Sequence, residues 1–160
     1  MQVEIERKFQ VLDGWEIPPG AGVVLIRQAY LTDPAAAVEV RVRSMDDRYF
    51  MTVKKPVETS GGKALARHEV EFPIGASVFE PLWEMASARL EKERWTVPCE
   101  GCSPVVDVYR GANLGLRVAE VEFTTPEAAD AFVPPAWFGP EITGVKRWGN
   151  RALAQPPTAG

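Results

Sequence analysis

The stretch Val3-Glu4-Ile5-Glu6-Arg7-Lys8-Phe9 decides how this chain is to be read. Successive side chains of a β-strand point to opposite faces, so residues i, i+2 and i+4 share one. As a strand, the stretch sets Glu4, Glu6 and Lys8 on one side, against the mostly apolar Val3, Ile5, Phe9 and, just beyond, Val11. Two acids beside a base suit a hard divalent cation that brings a multiply charged anion with it.

The same alternation recurs along the chain. Periodicity predicts strands at about 2–12, 23–31, 37–44, 48–55, 67–74, 91–98, 104–110 and 115–124. The third alternates Glu39, Arg41 and Arg43 with valines, and the fourth sets Thr52 and Lys54 against Tyr49, Met51 and Val53. The fifth opposes Glu69 and Glu71 to Val70 and Phe72; His68 has the opposite parity to the two acids and is expected to face outward. Lys92 and Arg94 share a face of the sixth, Asp107 stands against Val106 and Val108, and Glu120 and Glu122 alternate with Ala119, Val121 and Phe123. Asp46-Asp47, Ser60-Gly61-Gly62 and Gly111–Gly115 supply turns and breaks.

A half-solvated sheet is the ordinary source of alternating strands. Such faces mix Thr, Ser, Gln and Lys, whereas these are dense in Arg and Glu. Charges packed this closely are costly unless they are paired or held around a ligand. A closed barrel with a polar lumen and an apolar outer face meets that condition, inverting the usual small barrel with its apolar filling. Helices would cover the outside. Val78, Leu82, Trp83, Ala86 and Leu90 form an apolar stripe predicting a helix over 77–90. Thr125 and Pro126 open another over 126–132, and a third is expected at 150–154. The fold class is therefore α+β, mainly β: one domain over 1–155, with 156–160 as a frayed tail.

Composition excludes other classes. Eighteen basic against 22 acidic residues leave a net charge of −4, so no global basic field recruits nucleic acid. No apolar run reaches membrane-span length, and the acidic N-terminus does not resemble a signal peptide, so a cytoplasmic protein is expected. Cys99 and Cys102 form a lone CxxC between two strands, without the further ligands that structural zinc needs. Two reduced thiols in a hairpin loop are expected there, with an intersubunit metal or a redox role as the alternatives.

Several ordered pieces now combine: ExExK at 4–8, RQAYL at 27–31, RVR at 41–43, TVK at 52–54, ExE at 69–71, LEKERW at 90–95, VDV at 106–108 and GANLGLRVAEVEF at 111–123. In this order they resemble the CYTH superfamily, the triphosphate tunnel metalloenzymes, over about residues 2–154. The resemblance implies an eight-stranded antiparallel β tunnel that takes a triphosphate with a divalent metal, Mg²⁺ or Mn²⁺. Carried over by position, Lys8, Arg41, Arg43, Lys54, Lys92, Arg94 and Arg147 would grip phosphate. Glu4 and Glu6, with Glu120 or Glu122, would hold the metal; Asp107 and Glu71 are either further ligands or groups that fix the arginines. Tyr30 and Lys92 are the catalytic candidates, Tyr30 matching a proposed proton acceptor or else simply packing with a satisfied hydroxyl.

The resemblance implies a small-molecule triphosphate as partner, neither nucleic acid nor membrane, and is compatible with a homodimer. Hydrolysis of inorganic tripolyphosphate to pyrophosphate and phosphate is the leading expectation. The alternatives are a nucleoside or thiamine triphosphatase, a class IV-type adenylyl cyclase, and a non-catalytic polyphosphate-binding module. Two stretches depart from the family pattern: Lys55-Pro56 after TVK, and Val145–Asn150 near the end.

Overall fold

The computed structural model describes residues 1–58 and 61–155. Among these, the chain forms β1 (Gln2–Val11), β2 (Gly22–Tyr30), β3 (Glu39–Met45), β4 (Arg48–Pro56), β5 (Leu65–Ile74), α1 (Ala76–Met85), β6 (Ala88–Thr96), β7 (Val105–Tyr109), β8 (Arg117–Phe123), α2 (Pro126–Ala131), β9 (Phe138–Glu141) and α3 (Asn150–Leu153). All pairings are antiparallel, in the order β5-β4-β3-β2-β6-β7-β8-β1-β9, and β5 also pairs with β1. Eight strands thus close into a barrel, as expected. The ninth shares an edge of β1 with β5: Gln2–Glu6 pair with β5, while Phe9 and Val11 pair with β9.

The register carries the charged rows to one side. Glu4 stands opposite Arg67, Glu6 opposite Glu122 and Lys8 opposite Glu120, while Glu39 faces Lys54 and Arg94 faces Asp107. These are the inward rows. The outward rows build the core. Phe9, Val11, Val97, Val106, Ala119, Val121 and Phe138 pack outside the β1–β7–β8 wall, where Trp15, Phe132 and Trp137 cover them. Ala29, Val42, Ala86 and the fully buried Phe79 form a second core beneath α1. A third apolar cluster sits on the inward parity, at the end of the barrel where β2 and β7 finish and β6 and β8 begin. Tyr30, Ala88, Leu90, Tyr109 and Val118 meet Ile142, Trp148, Leu153 and Ala154 there, so the C-terminal segment plugs that end.

Several expectations need correction. The helix expected over 77–90 ends at Met85, where the Ala86 N–H caps Leu82. Residues from Ala88 onward are taken by backbone pairing with β2, which places Leu90 opposite Gln28 on the inward face. Val78, expected on the buried stripe, is 45% exposed, and Phe79 takes its place. Strand β9 was not expected. Cys99 and Cys102 are joined by a disulfide in place of the two reduced thiols expected; their Cα atoms lie 5.5 Å apart, within bridging range. Helix α2 starts as expected, with the Thr125 hydroxyl accepting from the Ala128 N–H. The expected tail at 156–160 and Ser60 of the expected loop break lie outside the described residues. No helix among the described residues is long and apolar enough to cross a membrane.

Candidate active site

The inward rows enclose a cavity of about 280 Å³ whose lining is almost wholly charged. It brings together Glu4, Glu6 and Lys8 from β1, Arg41 and Arg43 from β3, Lys54 from β4, Glu71 from β5, Arg94 from β6, and Glu120 and Glu122 from β8. Alternation explains how so short a chain concentrates so much charge: each strand contributes every second residue.

The carboxylates fall into two groups. Oxygens of Glu4, Glu6 and Glu122 all lie within 4.8 Å of one another. Glu120, Asp107 and Glu71 stand outside that cluster and engage cations. Glu120 faces Lys8 at 3.8 Å and Arg94 at 3.9 Å. Asp107 accepts from Lys92 at 2.7 Å and from Arg94 at 2.8 and 2.9 Å. Glu71 accepts from Thr52 at 2.7 Å and Arg43 at 3.3 Å. Within the first group, burial is outweighed at Glu4 by Lys54 and Arg67, which lower its carboxyl, whereas the other two are raised. Burial and the neighbouring Glu120 push the Glu6 carboxyl up to about 8, against the pull of Lys8. Glu122 is also raised by burial and by Glu120 and Glu4. Like charges held this close favour either a shared proton or a cation. The donor set is all oxygen, the chemistry that suits a hard divalent ion.

Cations oppose these acids around the lumen. Lys54 reaches Glu4 at 2.8 Å and Glu69 at 3.2 Å, and Lys8 lies 3.6 Å from Glu6. Burial together with Arg41 and Arg94 lowers Arg43 to about 10. For Lys54, burial with Arg41 and Arg67 outweighs Glu4 and lowers its pKa. Among the described residues, the buried Nε donors of Arg41, Arg43 and Arg67 have no hydrogen-bond partner. A buried donor left unmade is costly, so three of them turned on one lumen point to an anion as their partner.

Some expected residues stand elsewhere. Lys92 and Asp107 lie beneath the lumen surface as an ion pair, their side chains 0% and 1% exposed. Burial and Arg94 draw Lys92 down to about 7 despite Asp107. Tyr30 is buried in the apolar end cluster, where its hydroxyl accepts from Gln28 Nε2 at 2.9 Å. Burial raises its pKa against the effect of Arg41, and Tyr30 lines an adjoining cavity rather than the charged one. Arg147 is exposed, stacked over the Trp148 ring at 5.2 Å and outside the cavity lining. It follows Lys146 in a 3₁₀ turn whose Trp148 packs on the end cluster, which leaves Arg147 pointing outward.

Three lumen residues were not anticipated. Arg67 bonds Glu4 at 3.2 Å and Glu6 at 3.3 Å, and its parity with Glu69 and Glu71 was the signal that could have found it. Asn150 Oδ1 accepts from Lys92 and from the Tyr109 hydroxyl, and Gln28 is fully buried. No periodicity marks either one. A second cavity of about 340 Å³ adjoins the first through Lys8, Arg41, Arg67 and Asn150, but Pro34, Pro56, Leu65, Val145 and Trp148 give it largely apolar walls.

No protein-family model matches the chain. It is 43% identical over 155 residues to an inorganic triphosphatase of Nitrosomonas europaea, covering 94% of this chain and 96% of the relative. An inorganic triphosphatase of Acetivibrio thermocellus is 36% identical over 159 residues, covering 98% of this chain and 96% of the relative. Among solved structures, the crystal structure of an inorganic triphosphatase superposes with a TM-score of 0.70 at 37% identity, covering 98% of this chain and 97% of that one.

Proposed function

The chain belongs to the inorganic triphosphatases of the CYTH, or triphosphate tunnel metalloenzyme, superfamily, and we propose that it hydrolyses inorganic tripolyphosphate to pyrophosphate and phosphate. The observation that carries this reading is the pairing of two features in one lumen: unpartnered arginine donors, and three carboxylates converging within 4.8 Å. An anion binder alone has no use for the second feature.

In this reading Glu4, Glu6 and Glu122 would hold Mg²⁺ or Mn²⁺, and the convergence of their carboxylate oxygens within 4.8 Å is the observation that fits them to a cation. When bound, such an ion polarises phosphoryl oxygens and neutralises developing charge. Arg41, Arg43, Arg67 and Arg94 hold the phosphate chain, with arginine preferred because it stays protonated and can bind phosphate bidentately. Lys8 and Lys54 add charge between the arginines and the acids. Asp107 fixes Arg94 through two hydrogen bonds, and Glu71 fixes Arg43. Catalysis then rests on positioning and charge neutralisation, as in phosphoryl transfer generally.

The second, apolar-walled cavity favours one alternative, an organic triphosphate whose base rests near Trp148 and Leu65. A substrate panel separates the two. With Mg²⁺ and, separately, Mn²⁺, kcat/KM is compared for tripolyphosphate, ATP, thiamine triphosphate and pyrophosphate, scoring phosphate, pyrophosphate and cyclic AMP. Highest kcat/KM for tripolyphosphate is expected. Binding of tripolyphosphate with no turnover of any triphosphate would refute the enzymatic reading.

A further inference from the structure

Of the eight barrel strands, β2 alone carries no charge on its inward row: Val24, Ile26, Gln28 and Tyr30. Gln28 stands where the charged lumen meets the apolar end cluster, in register with Arg43 on one side and Leu90 on the other. It is 0% exposed and lines the charged cavity. Its Nε2 donates to the Tyr30 hydroxyl at 2.9 Å, and among the described residues its buried Oε1 has no hydrogen-bond partner. A buried amide oxygen left without a partner is costly enough to need an explanation.

The chemistry of the site narrows that explanation. An ionised phosphate chain offers acceptors, and a carbonyl oxygen repels them. The species entering this lumen with a proton to donate is water. Asn150 Oδ1 takes Lys92 and Tyr109, and the carboxylates lining this cavity face cations or converge at Glu4, Glu6 and Glu122; Glu39 Oε2, also buried without a partner among the described residues, belongs to a residue that lines the second cavity. Gln28 Oε1 is an uncharged acceptor, and its Nε2–Tyr30 bond fixes its direction. An amide can orient a water molecule without deprotonating it, the part a glutamine plays in some phosphoryl-transferring enzymes.

We propose that Gln28 holds the attacking water through Oε1 at the end of the phosphate chain, an inference that rests on the tripolyphosphatase reading. In the step, the water oxygen forms a bond to the terminal phosphorus. The bridging P–O bond breaks, and its electron pair stays on pyrophosphate. One proton of the water remains on the new orthophosphate and the other ends on pyrophosphate.

The test is steady-state kinetics on tripolyphosphate with Gln28→Met, which keeps an unbranched side chain of similar length and removes both donor and acceptor. A fall in kcat on the order of 10²-fold is expected, the scale of a misplaced reactant. KM should stay within about twofold, since an interaction with the nucleophile is not substrate binding. Gln28→Asn, which withdraws the oxygen by one methylene and stays polar, gives the same loss and covers the case in which the Met variant does not fold. A role through Tyr30 alone is excluded by a cycle: in a Tyr30→Phe background, Gln28→Met still lowers kcat. Three results each overturn the proposal: kcat close to wild type, a raised KM with kcat unchanged, or no further loss in the Tyr30→Phe background. Inactive wild-type protein overturns the tripolyphosphatase reading and this inference together. Active wild-type protein with an unaffected variant overturns this inference alone.

Discussion

Asp107 is the anion that pairs with both the buried Lys92 and the partly buried Arg94. Burial by itself would raise its carboxyl, but Arg94 and Lys92 outweigh burial and hold it at about 2, against 3.8 for an ordinary aspartate. A depressed carboxylate pKa stabilises the fold at every pH above the unfolded value, and that contribution is lost as pH falls through the folded one. Asp107 should therefore help stability fully above about pH 4 and lose that effect between about pH 4 and pH 2. Asp107→Asn keeps the shape but leaves the buried Lys92 without its anion and Arg94 with Glu120 alone at 3.9 Å, at a cost of about 3–5 kcal/mol. Denaturant unfolding at pH 7 measures the loss, and an acid series should show a flatter slope below pH 4 in the variant than in wild type. Unchanged stability at pH 7 would mean that the two cations find other partners.

Strand β1 shows how one element serves two environments. Its even-numbered face gives Glu4, Glu6 and Lys8 to the lumen, while Arg7 on the other face is 4% exposed and ties down the outer cover. Arg7 donates to both Glu141 oxygens at 2.8 and 2.9 Å, and to the Ala129 and Phe132 carbonyls. Arg7→Met leaves these acceptors without their donor and should cost about 3 kcal/mol, with faster amide exchange in α2 and β9 than in the barrel strands. On the inner face, Glu4→Gln with Glu6→Gln should abolish metal-dependent turnover while circular dichroism stays that of wild type. An unfolded double variant, or one with normal turnover, contradicts the place given to those carboxylates. Strand β1 was legible in the sequence because charge and apolarity alternate strictly along it. Strand β9, Phe138-Gly139-Pro140-Glu141, was not: four residues with glycine and proline carry no period, and β1 holds them in place by pairing. The end of α1 was hidden for a different reason. The apolar stripe runs on to Leu90, and only the ladder with β2 turns residues 88–90 into strand. Within the site, Arg67 was readable from parity. Gln28 and Asn150 were not, because a single polar residue gives no pattern until the barrel closes around it.

At the scale of the whole molecule, the barrel is turned inside out. Its apolar cores lie outside the wall beneath α1, α2, β9 and the tryptophans, and the interior is reserved for charge apart from the plugged end. An interior of mutually crowded acids and arginines is held in part by what enters it. Tripolyphosphate with Mg²⁺ or Mn²⁺ should therefore raise the thermal midpoint well beyond what either component does alone. Ligand at about 100 times its Kd adds about 2.7 kcal/mol, readable as a shift of several degrees by scanning fluorimetry, with the Glu4→Gln, Glu6→Gln protein, which should lose the metal-dependent part of the shift, as the control. The central claim is tested most directly by following tripolyphosphate by phosphorus NMR with wild-type protein and Mg²⁺. Pyrophosphate and orthophosphate should appear in equal amounts from the first turnover, and addition of a chelator should stop both. Tripolyphosphate left intact under these conditions, or turnover that continues undiminished in excess chelator, would contradict the assignment of this lumen to metal-dependent triphosphate hydrolysis.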